Sequence, residues 1–424
     1  MTILVVASID NNPYNGVPRA VPGMVNALKE VMTKDSGDKT PEDTMLDDKT
    51  HQGINLRATD QVGFLNTRGI KINGIDCQLM PQKNSLKELP HPFNKPDLVV
   101  FHEVYYPAFI GLSKECKKNH IPYIIIPHGC LTKEALEIKK WKKRIGNELL
   151  FKDFVMGAET LQFLSPSEKR RTVFKKDGFI GLNGVTLKSD RHHKKNINFA
   201  DTKHIKPYLV FTYIGRIDMH IKGLDLLVKA VAQNQDLFRE NLCCFKLYGP
   251  DCSDSKSKLT ILANGLGVSD LIEINGPVEE EKKEEILLNS DVFIQTSRSE
   301  ALPMGLLEAL SYGLPCLVSR GTGFAGLINR YNAGWGEIKN KKIPNDKKSG
   351  KDSAEIFTSS EGISNSANEE KIRNISELIK MAVAGKTTYP QKADNARQLI
   401  EERFEIKRCT ERLLKKYVRI CSKT

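Results

Sequence analysis

Short apolar runs alternate with helix-type patterns along most of the chain. In the first half, residues 3–7 and 97–101 are apolar runs of strand length, and helical patterns follow them at residues 21–31 and 105–118. Residues 121–126 form a further apolar run, which completes a strand–helix–strand unit. Continuous apolar strands separated by helices are typical of parallel sheets that are covered on both faces. The first half therefore predicts a doubly wound α/β domain.

The second half repeats this alternation from the start. Strand-type runs are predicted at residues 208–214, 243–248, 271–274, 291–296 and 316–319. The intervening helical patterns are at residues 224–232, 256–265 and 279–289. A second set of alternating strands and helices predicts a second doubly wound domain. We therefore expect an α/β protein in which two Rossmann-like domains face a central cleft.

Breaks in these patterns predict the domain boundaries. Residues 188–206 are rich in His, Lys and Asn and poor in apolar residues, as is typical of a linker. The predicted domains are residues 1–187 and 207–400. Residues 401–424 are predicted to form a C-terminal helix, whose amphipathic part could pack back on the N-terminal domain. Two polar stretches without periodicity, 33–50 and 339–369, are predicted to be surface insertions.

The length and the net charge of the chain restrict the classes of function to consider. The chain has 424 residues, 40% of them hydrophobic, and a net charge of +12, which favours anionic partners. Residues 131–176 contain 12 Lys and Arg against 6 Asp and Glu, so half of the excess charge lies there. Trp141, Ile145, Leu149 and Leu150 fall near one helical face of this basic segment. Attachment to an anionic membrane surface is one interpretation, and a solvated basic face is the other.

The remaining composition indicates a cytoplasmic protein. Nine cysteines are scattered without metal-binding spacing, which is typical of reduced thiols. No apolar run approaches the roughly 18 residues of a membrane-spanning helix, and the N-terminus is typical of a strand rather than a signal peptide. A nucleic-acid binder would fit the charge, but no RNA- or DNA-binding motif accompanies it.

The most informative stretch is SRSEALPMGLLEALSYGLP at residues 297–315, which follows an apolar strand. Pro303 suits the first position of a helix. The amides of Met304, Gly305 and Leu306 would then be free at the positive end of that helix, where anions such as phosphate bind. Glu300 and Glu308 flank these amides. The spacing is compatible with a ligand that has a central phosphate and hydroxyls at both ends, or with an ordinary buried strand–helix unit bearing two solvated glutamates.

Three further side chains are candidates because they lie where parallel strands end. His128 follows the strand at 121–126 with a glycine beside it. Arg216 and Lys222 lie in the loop after the strand at 208–214, where a guanidinium and an ammonium could bind a diphosphate and stabilise a leaving phosphate. Ligands of open parallel sheets bind beyond the carboxyl ends of the strands. Together with Glu300 and Glu308, these residues predict a nucleotide-sugar site.

At these residues the sequence resembles the group 1 glycosyltransferases, the retaining GT-B-fold enzymes of family 4. The resemblance rests on IGRIDMHIKGLDLL at 214–227, SEALPMGLLEALSYGLPCLVS at 299–319, and ETLQFLSPSE and GLNGV between the two halves. The spacing of Glu300 and Glu308 is the E-x7-E spacing of that family. IPYIIIPHGCL at 121–131 is similar to a segment of bacterial members that build surface polysaccharides. The resemblance covers most of the chain outside the two insertions.

The resemblance implies a role for each candidate residue. Arg216 and Lys222 would bind the donor diphosphate, Glu308 the ribose and Glu300 the transferred sugar, with the amides of Met304, Gly305 and Leu306 near the distal phosphate. His128 would point at the sugar near the reacting carbon, and Gly16 would let the N-terminal loop approach the donor and acceptor.

The implied reaction is hexosyl transfer with retention of configuration, without a metal or any other cofactor. The expected donor is UDP-linked. The expected acceptor is a saccharide, lipid-linked at the inner face of the cell membrane, in bacterial surface polysaccharide synthesis. A protein or soluble acceptor is an alternative that the sequence leaves open. A second alternative is a non-catalytic nucleotide-sugar-binding partner of a transferase.

Overall fold

A computed structural model describes residues 1–12, 16–34, 60–137, 146, 150–188, 209–337 and 360–422. The chain divides into two compact units, the first formed by residues 1–186 with 402–424 and the second by residues 187–401. The C-terminal segment therefore belongs to the first unit. Most of the predicted linker and of both predicted insertions lies outside the described residues.

The first unit is built on a parallel sheet. In the described residues its seven strands have the order β3-β2-β1-β4-β5-β6-β7. The strands are β1 (Thr2–Ala7), β2 (Gln61–Asn66), β3 (Gln78–Leu79), β4 (Leu98–His102), β5 (Tyr123–Ile126), β6 (Thr160–Phe163) and β7 (Gly178–Ile180). Every residue of the central strands β1, β4 and β5 is buried, because helices cover both faces of the sheet.

The helices of the first unit connect these strands and close its faces. They are α1 (Gly16–Lys34), α2 (Pro107–Lys118), α3 (Lys133–Glu137), α4 (Lys152–Met156), α5 (Pro166–Arg171) and, at the end of the chain, α14 (Ile406–Cys421). Helix α14 packs against α1 and buries Leu413, Leu414 and Tyr417. Helix α1 begins five residues earlier than the predicted range 21–31, so Pro22 lies inside the helix rather than at its start.

The second unit contains a parallel sheet of six described strands, in the order β10-β9-β8-β11-β12-β13. The strands are β8 (Leu209–Ile214), β9 (Cys243–Tyr248), β10 (Ile272–Ile274), β11 (Val292–Gln295), β12 (Cys316–Val318) and β13 (Gly334–Gly336). The chain builds outward from β8 to β10 and then returns to the other side of β8 with β11. The strand order thus reverses between β8 and β11, and ligands of doubly wound sheets bind at such a reversal.

The helices of this unit are α6 (Leu224–Ala232), α7 (Gln235–Glu240), α8 (Ser255–Gly265), α9 (Glu280–Leu288), α10 (Met304–Ser311), α11 (Ala325–Tyr331), α12 (Ser360–Ala384) and α13 (Tyr389–Arg403). The predicted surface loop at 339–369 is wrong from residue 360 onward, where α12 has begun. The predicted fold class, α/β with two doubly wound Rossmann-like domains, is confirmed.

Candidate functional site

Two loops meet at the reversal of strand order in the second unit. One follows β8 and carries Arg216 and Lys222, and the other follows β11 and carries Glu300. The Lys222 ammonium lies 2.6 Å from Glu300 Oε1, so the structure brings these two predicted residues into direct contact. Their side chains are only 18% and 10% exposed. The pair is therefore shielded from solvent, where a charge interaction is stronger than at an open surface.

Glu300 is fixed by more than the lysine. Its Oε1 also accepts a hydrogen bond of 2.7 Å from the Ser297 hydroxyl and one of 2.9 Å from the Gln295 amide. Three donors thus converge on one carboxylate oxygen. The carboxylate is consequently held in one place before any ligand arrives.

A second ion pair joins the loop after β11 to the first turn of α6, and sequence reasoning missed it. The Arg298 guanidinium makes two parallel contacts with Asp225, at 2.6 and 2.7 Å, and both side chains are largely buried. Arg298 also donates to the carbonyl of His220 at 2.8 Å. Bidentate arginine–carboxylate pairs are strong and geometrically specific. This pair lies beside the candidate site and fixes the loop that carries Lys222.

Arg216 has unused hydrogen-bonding capacity. Its Nη2 lies 3.3 Å from Asp218 Oδ2, and the side chain is 40% exposed. Its Nε is buried and has no hydrogen-bond partner among the described residues. Buried donors are almost always satisfied in proteins, so a ligand oxygen at this position would complete the site. Asp218 meanwhile accepts the amide of Ile221 at 2.9 Å, which orders the loop beneath the arginine.

Helix α10 begins one residue later than predicted. Pro303 is its N-cap rather than its first residue. The amide of Leu306 donates to the Pro303 carbonyl at 3.0 Å, so the prediction that this amide is free is wrong. The Pro303 carbonyl also accepts the amide of Leu307, at 3.1 Å. Of the three predicted amides, Met304 and Gly305 lie closest to the positive end of the helix.

Gly305 has a steric reason to be glycine. A Cβ atom there would lie 2.7 Å from the carbonyl oxygen of Ile214, the last residue of β8. The missing side chain lets the start of α10 approach the end of β8. The helix start is thereby placed against the strand that leads to Arg216.

Glu308 has a cationic partner that sequence reasoning also missed. Lys283 of α9 places its ammonium 3.3 Å from Glu308 Oε2 and also pairs with Glu280. The Lys283 side chain is 6% exposed and that of Glu308 is 14% exposed. The contact with this shielded ammonium restricts the rotamers of Glu308. The carboxylate is therefore positioned rather than free in solvent.

His128 belongs to the first unit. It follows β5 in a tight turn, with φ at +51°, and its ring is partly buried. Burial lowers its pKa to about 4, so the imidazole is neutral at pH 7. The adjacent Gly129 amide donates to the carboxylate of Glu168 at 2.5 Å, and Glu168 also accepts the Leu164 amide at 2.7 Å. This buried carboxylate fixes the turn, and burial raises its pKa.

Gly16 also lies in the first unit, where it begins helix α1 and is exposed. A Cβ atom there would meet nothing within 4 Å. The packing of the first unit therefore does not itself require glycine at this position.

Metal-binding clusters and membrane-spanning helices are both absent from the described residues. In the described ranges, no group of three or more His, Cys, Asp or Glu side chains is arranged to hold a metal ion. No helix in that same part of the chain has both the length and the apolar character needed to cross a membrane.

Comparison with known proteins places this geometry in context. Residues 194–343 match the family model of glycosyl transferases group 1, about a third of the chain. The match includes both loops at the strand reversal and the whole of α10. No functionally curated protein matches the sequence.

Solved structures match over nearly the whole chain. Sucrose-phosphate synthase from Thermosynechococcus elongatus is 14% identical, with 100% of both chains covered and a TM-score of 0.62. HepE from Anabaena, in complex with UDP-glucose, is 13% identical, with 98% of this chain and 99% of that chain covered and a TM-score of 0.61. WaaG, a glycosyltransferase involved in lipopolysaccharide biosynthesis, is 14% identical, with 97% and 98% covered and a TM-score of 0.57.

These similarities identify the fold as GT-B. The family match in the second unit and the shared fold together support a glycosyltransferase. The roles of the individual residues remain predictions.

Proposed function

We propose that this protein is a metal-independent, retaining glycosyltransferase that uses a UDP-linked sugar as its donor. One observation carries the proposal: Lys222, in direct contact with Glu300, shares the loop after β8 with Arg216, whose buried Nε has no hydrogen-bond partner among the described residues. This region lies inside the segment that matches the glycosyltransferase family. Two cations can bind the diphosphate of a nucleotide sugar, and a fixed carboxylate can bind the hydroxyls of its sugar.

The two cations act on the diphosphate. Arg216 supplies directional hydrogen bonds through its unpaired Nε and its exposed end, and Lys222 supplies a compact charge. When the donor binds, Lys222 divides its interactions between the phosphate and Glu300. Glu300 then accepts hydrogen bonds from hydroxyls of the transferred sugar, while Ser297 and Gln295 keep it in position.

The chemical step takes place on one face of the sugar. The bond between the anomeric carbon and the phosphate oxygen breaks, and a bond from the acceptor hydroxyl oxygen forms on the same face. The acceptor proton passes to the departing phosphate oxygen. Arg216 and Lys222 stabilise the negative charge that develops on that phosphate, which is the task that a metal ion performs in other transferases.

Glu308 and the start of α10 complete the donor site. The Glu308 carboxylate, held by Lys283, accepts hydrogen bonds from the ribose hydroxyls. The amides of Met304 and Gly305 face the distal phosphate at the positive end of the helix. In the first unit, neutral His128 contacts the sugar near the reacting carbon. Gly16 has no side chain and therefore allows a close approach to the donor and acceptor.

The acceptor that we propose is a saccharide on a lipid carrier at the inner face of the cell membrane, in surface polysaccharide synthesis. WaaG, one of the structural neighbours, is a transferase of lipopolysaccharide biosynthesis. Large apolar side chains are exposed on the first unit at Leu150, Met156 and Val173, among the lysines and arginines of the basic segment. This combination suits contact with an anionic membrane surface. Trp141, Ile145 and Leu149 lie outside the described residues.

Hydrolysis of nucleotide sugars in the absence of acceptor tests the donor assignment. A panel of UDP-, GDP- and ADP-sugars is incubated with the protein, with and without EDTA, and nucleotide release is followed. We expect slow release from at least one UDP-sugar, unaffected by EDTA. Binding of a UDP-sugar without release, also with candidate acceptors, would favour a non-catalytic role. Loss of release in EDTA would contradict metal independence.

Sedimentation with liposomes tests the membrane part separately. We expect the protein to sediment at low salt with liposomes that contain anionic lipids and to stay in solution with neutral ones, because attraction to a charged surface is screened by salt. No sedimentation with anionic liposomes at low salt would remove the membrane-bound acceptor from the proposal and favour a soluble acceptor.

A further inference from the structure

A second histidine contacts His128. His102 is the last residue of β4, and its side chain is fully buried. The ring nitrogen Nδ1 of His102 lies 2.9 Å from Nε2 of His128, at hydrogen-bonding distance. The other ring nitrogen of His102, Nε2, is buried and has no partner among the described residues.

Only one proton can lie between the two rings, and both rings are neutral at pH 7. Burial lowers the pKa of both imidazoles, and the proximity of His128 lowers that of His102 further. A neutral imidazole has one N–H and one bare nitrogen. The hydrogen bond therefore runs in one of two directions, and each direction fixes the tautomers of both rings.

The buried Nε2 of His102 distinguishes the two directions. If His128 donated, His102 would carry its proton on Nε2, as a buried N–H without an acceptor. If His102 donates from Nδ1, its Nε2 is a bare lone pair. Orphaned buried N–H groups are rare, whereas under-satisfied acceptors are less so. The second direction is therefore favoured.

We propose that His102 is a positioning residue that donates from Nδ1 to His128 and thereby holds His128 as its Nδ1–H tautomer. His128 then offers its Nδ1–H group to a ligand as a hydrogen-bond donor. It cannot act as a general base, because Nε2 accepts from His102 and Nδ1 already carries a proton. The assignment of that ligand as the sugar rests on the proposed function.

Contacts of the surrounding backbone hold the turn that carries His128, and the contact with His102 orients its ring. The amide of Gly129 is held by Glu168, and the amide of Cys130 donates to the Pro127 carbonyl at 3.1 Å. These contacts fix the turn that carries His128. Among the described residues, His102 is the hydrogen-bond partner of the imidazole itself.

Substitutions of similar shape at His102 test the direction of the bond by activity. In His102→Asn the side-chain amide can replace the Nδ1 donor, whereas His102→Asp offers only acceptor oxygens. With UDP-glucose as the probe, we expect hydrolysis by the His102→Asn variant to stay within about threefold of wild type. The His102→Asp variant should lose at least about thirtyfold in kcat, with little change in KM. His102→Leu should also be slow.

The matched control is the same substitution at an exposed histidine of the first unit, His120→Asp, which should leave kcat unchanged. Circular dichroism and the thermal midpoint show whether each variant is folded. Near wild-type turnover by a folded His102→Asp variant would overturn the proposed direction. A kcat for His102→Leu equal to that of wild type would overturn the positioning role.

Tautomers can be measured without any substrate. Long-range proton–nitrogen NMR on histidine-labelled protein distinguishes a protonated ring nitrogen from a bare one, and the His128→Gln variant identifies the signal. We expect His128 to be protonated at Nδ1 and bare at Nε2 at pH 7.5. Protonation at Nε2 would overturn the inference. Absence of UDP-glucose hydrolysis by the wild type would count against the proposed donor alone, and NMR would then decide the tautomer.

Discussion

Replacing Lys222 by alanine separates its role in the reaction from its role in the fold. The ammonium lies 2.6 Å from Glu300 and, in the proposed reaction, also contacts the leaving phosphate. Removing one preorganised group that stabilises developing charge costs about 3–4 kcal/mol, or about 10²–10³ in kcat. We therefore expect the kcat for hydrolysis of UDP-glucose to fall by this factor, because the charge on the departing phosphate loses a partner.

The effect of the same substitution on stability should be smaller. Glu300 keeps its hydrogen bonds from Ser297 and Gln295, so its carboxylate is not left without donors. The side chains of Lys222 and Glu300 are 18% and 10% exposed, so their ion pair is intermediate between an exposed pair and a fully buried one. Exposed pairs contribute up to about 1 kcal/mol, and breaking a buried pair costs about 3–5 kcal/mol. We expect a loss of about 1–3 kcal/mol in the free energy of unfolding, which urea titration measures.

The assay follows UDP release by the folded variants under saturating UDP-glucose. Lys380→Ala is the matched control, because it removes a lysine from an ion pair of 3.0 Å on helix α12 of the same unit. That variant should keep wild-type kcat. Near wild-type kcat in a folded Lys222→Ala variant would refute the assigned role of the lysine. An equal loss of kcat in Lys222→Ala and Lys380→Ala would show that the effect is not specific to the candidate site.

Three further predictions concern single residues. Glu308→Ala should weaken UDP binding by about 10–100-fold, measured by calorimetry, because hydrogen bonds to a charged group contribute about 1.5–3 kcal/mol; unchanged affinity would contradict the ribose assignment. Gly305→Ala should lower the free energy of unfolding by about 1–3 kcal/mol, since the added Cβ would lie 2.7 Å from the Ile214 carbonyl; an unchanged urea midpoint would show that the helix can move away. The pKa of His128 is about 4 in the folded protein, against about 6.5 in the unfolded chain, so the unfolded state binds more protons between these values and stability falls as the pH decreases. This group alone should lower the free energy of unfolding by about 2 kcal/mol between pH 7.5 and pH 5, and the decrease should be smaller by that amount in His128→Gln.

The sequence predicts the strands that form continuous apolar runs but misses others, among them β2 and β6 inside the first sheet. Strands β1, β4 and β5 are continuous apolar runs, because both of their faces are buried. The edge strand β7 is short and partly exposed, so it lacks such a run and was not predicted. Residues 360–369 were predicted to belong to a surface insertion rather than to α12, because this part of the sequence is polar and shows no apolar period.

The candidate site was predictable as a set of residues but not as a set of contacts. Arg216, Lys222, Glu300 and Glu308 stand out through their positions at strand ends and through their spacing. The contacts of Lys222 with Glu300 and of Lys283 with Glu308 do not stand out, because each joins residues that are distant in sequence and share no local pattern. Arg298 and Asp225 are 73 residues apart in sequence and meet only when β8 and β11 pair.

The buried histidine pair shows the same limit. His102 ends one strand and His128 follows the next, and adjacent pairing of β4 with β5 brings the two rings together. The apolar pattern predicts both strands but not their register. Without the register, His128 is an isolated histidine at a strand end and the role of His102 cannot be inferred.

The central claim is sugar transfer from a nucleotide donor with retention of configuration. Time-resolved proton NMR of UDP-α-glucose hydrolysis, or of whichever UDP-sugar the panel identifies, reports the anomer that is released before mutarotation. We expect the α-anomer to appear first, together with UDP, and neither to appear with Arg216→Ala. Initial release of the β-anomer would contradict retention, and the absence of release from every nucleotide sugar tested, with and without acceptors, would contradict the proposed activity itself.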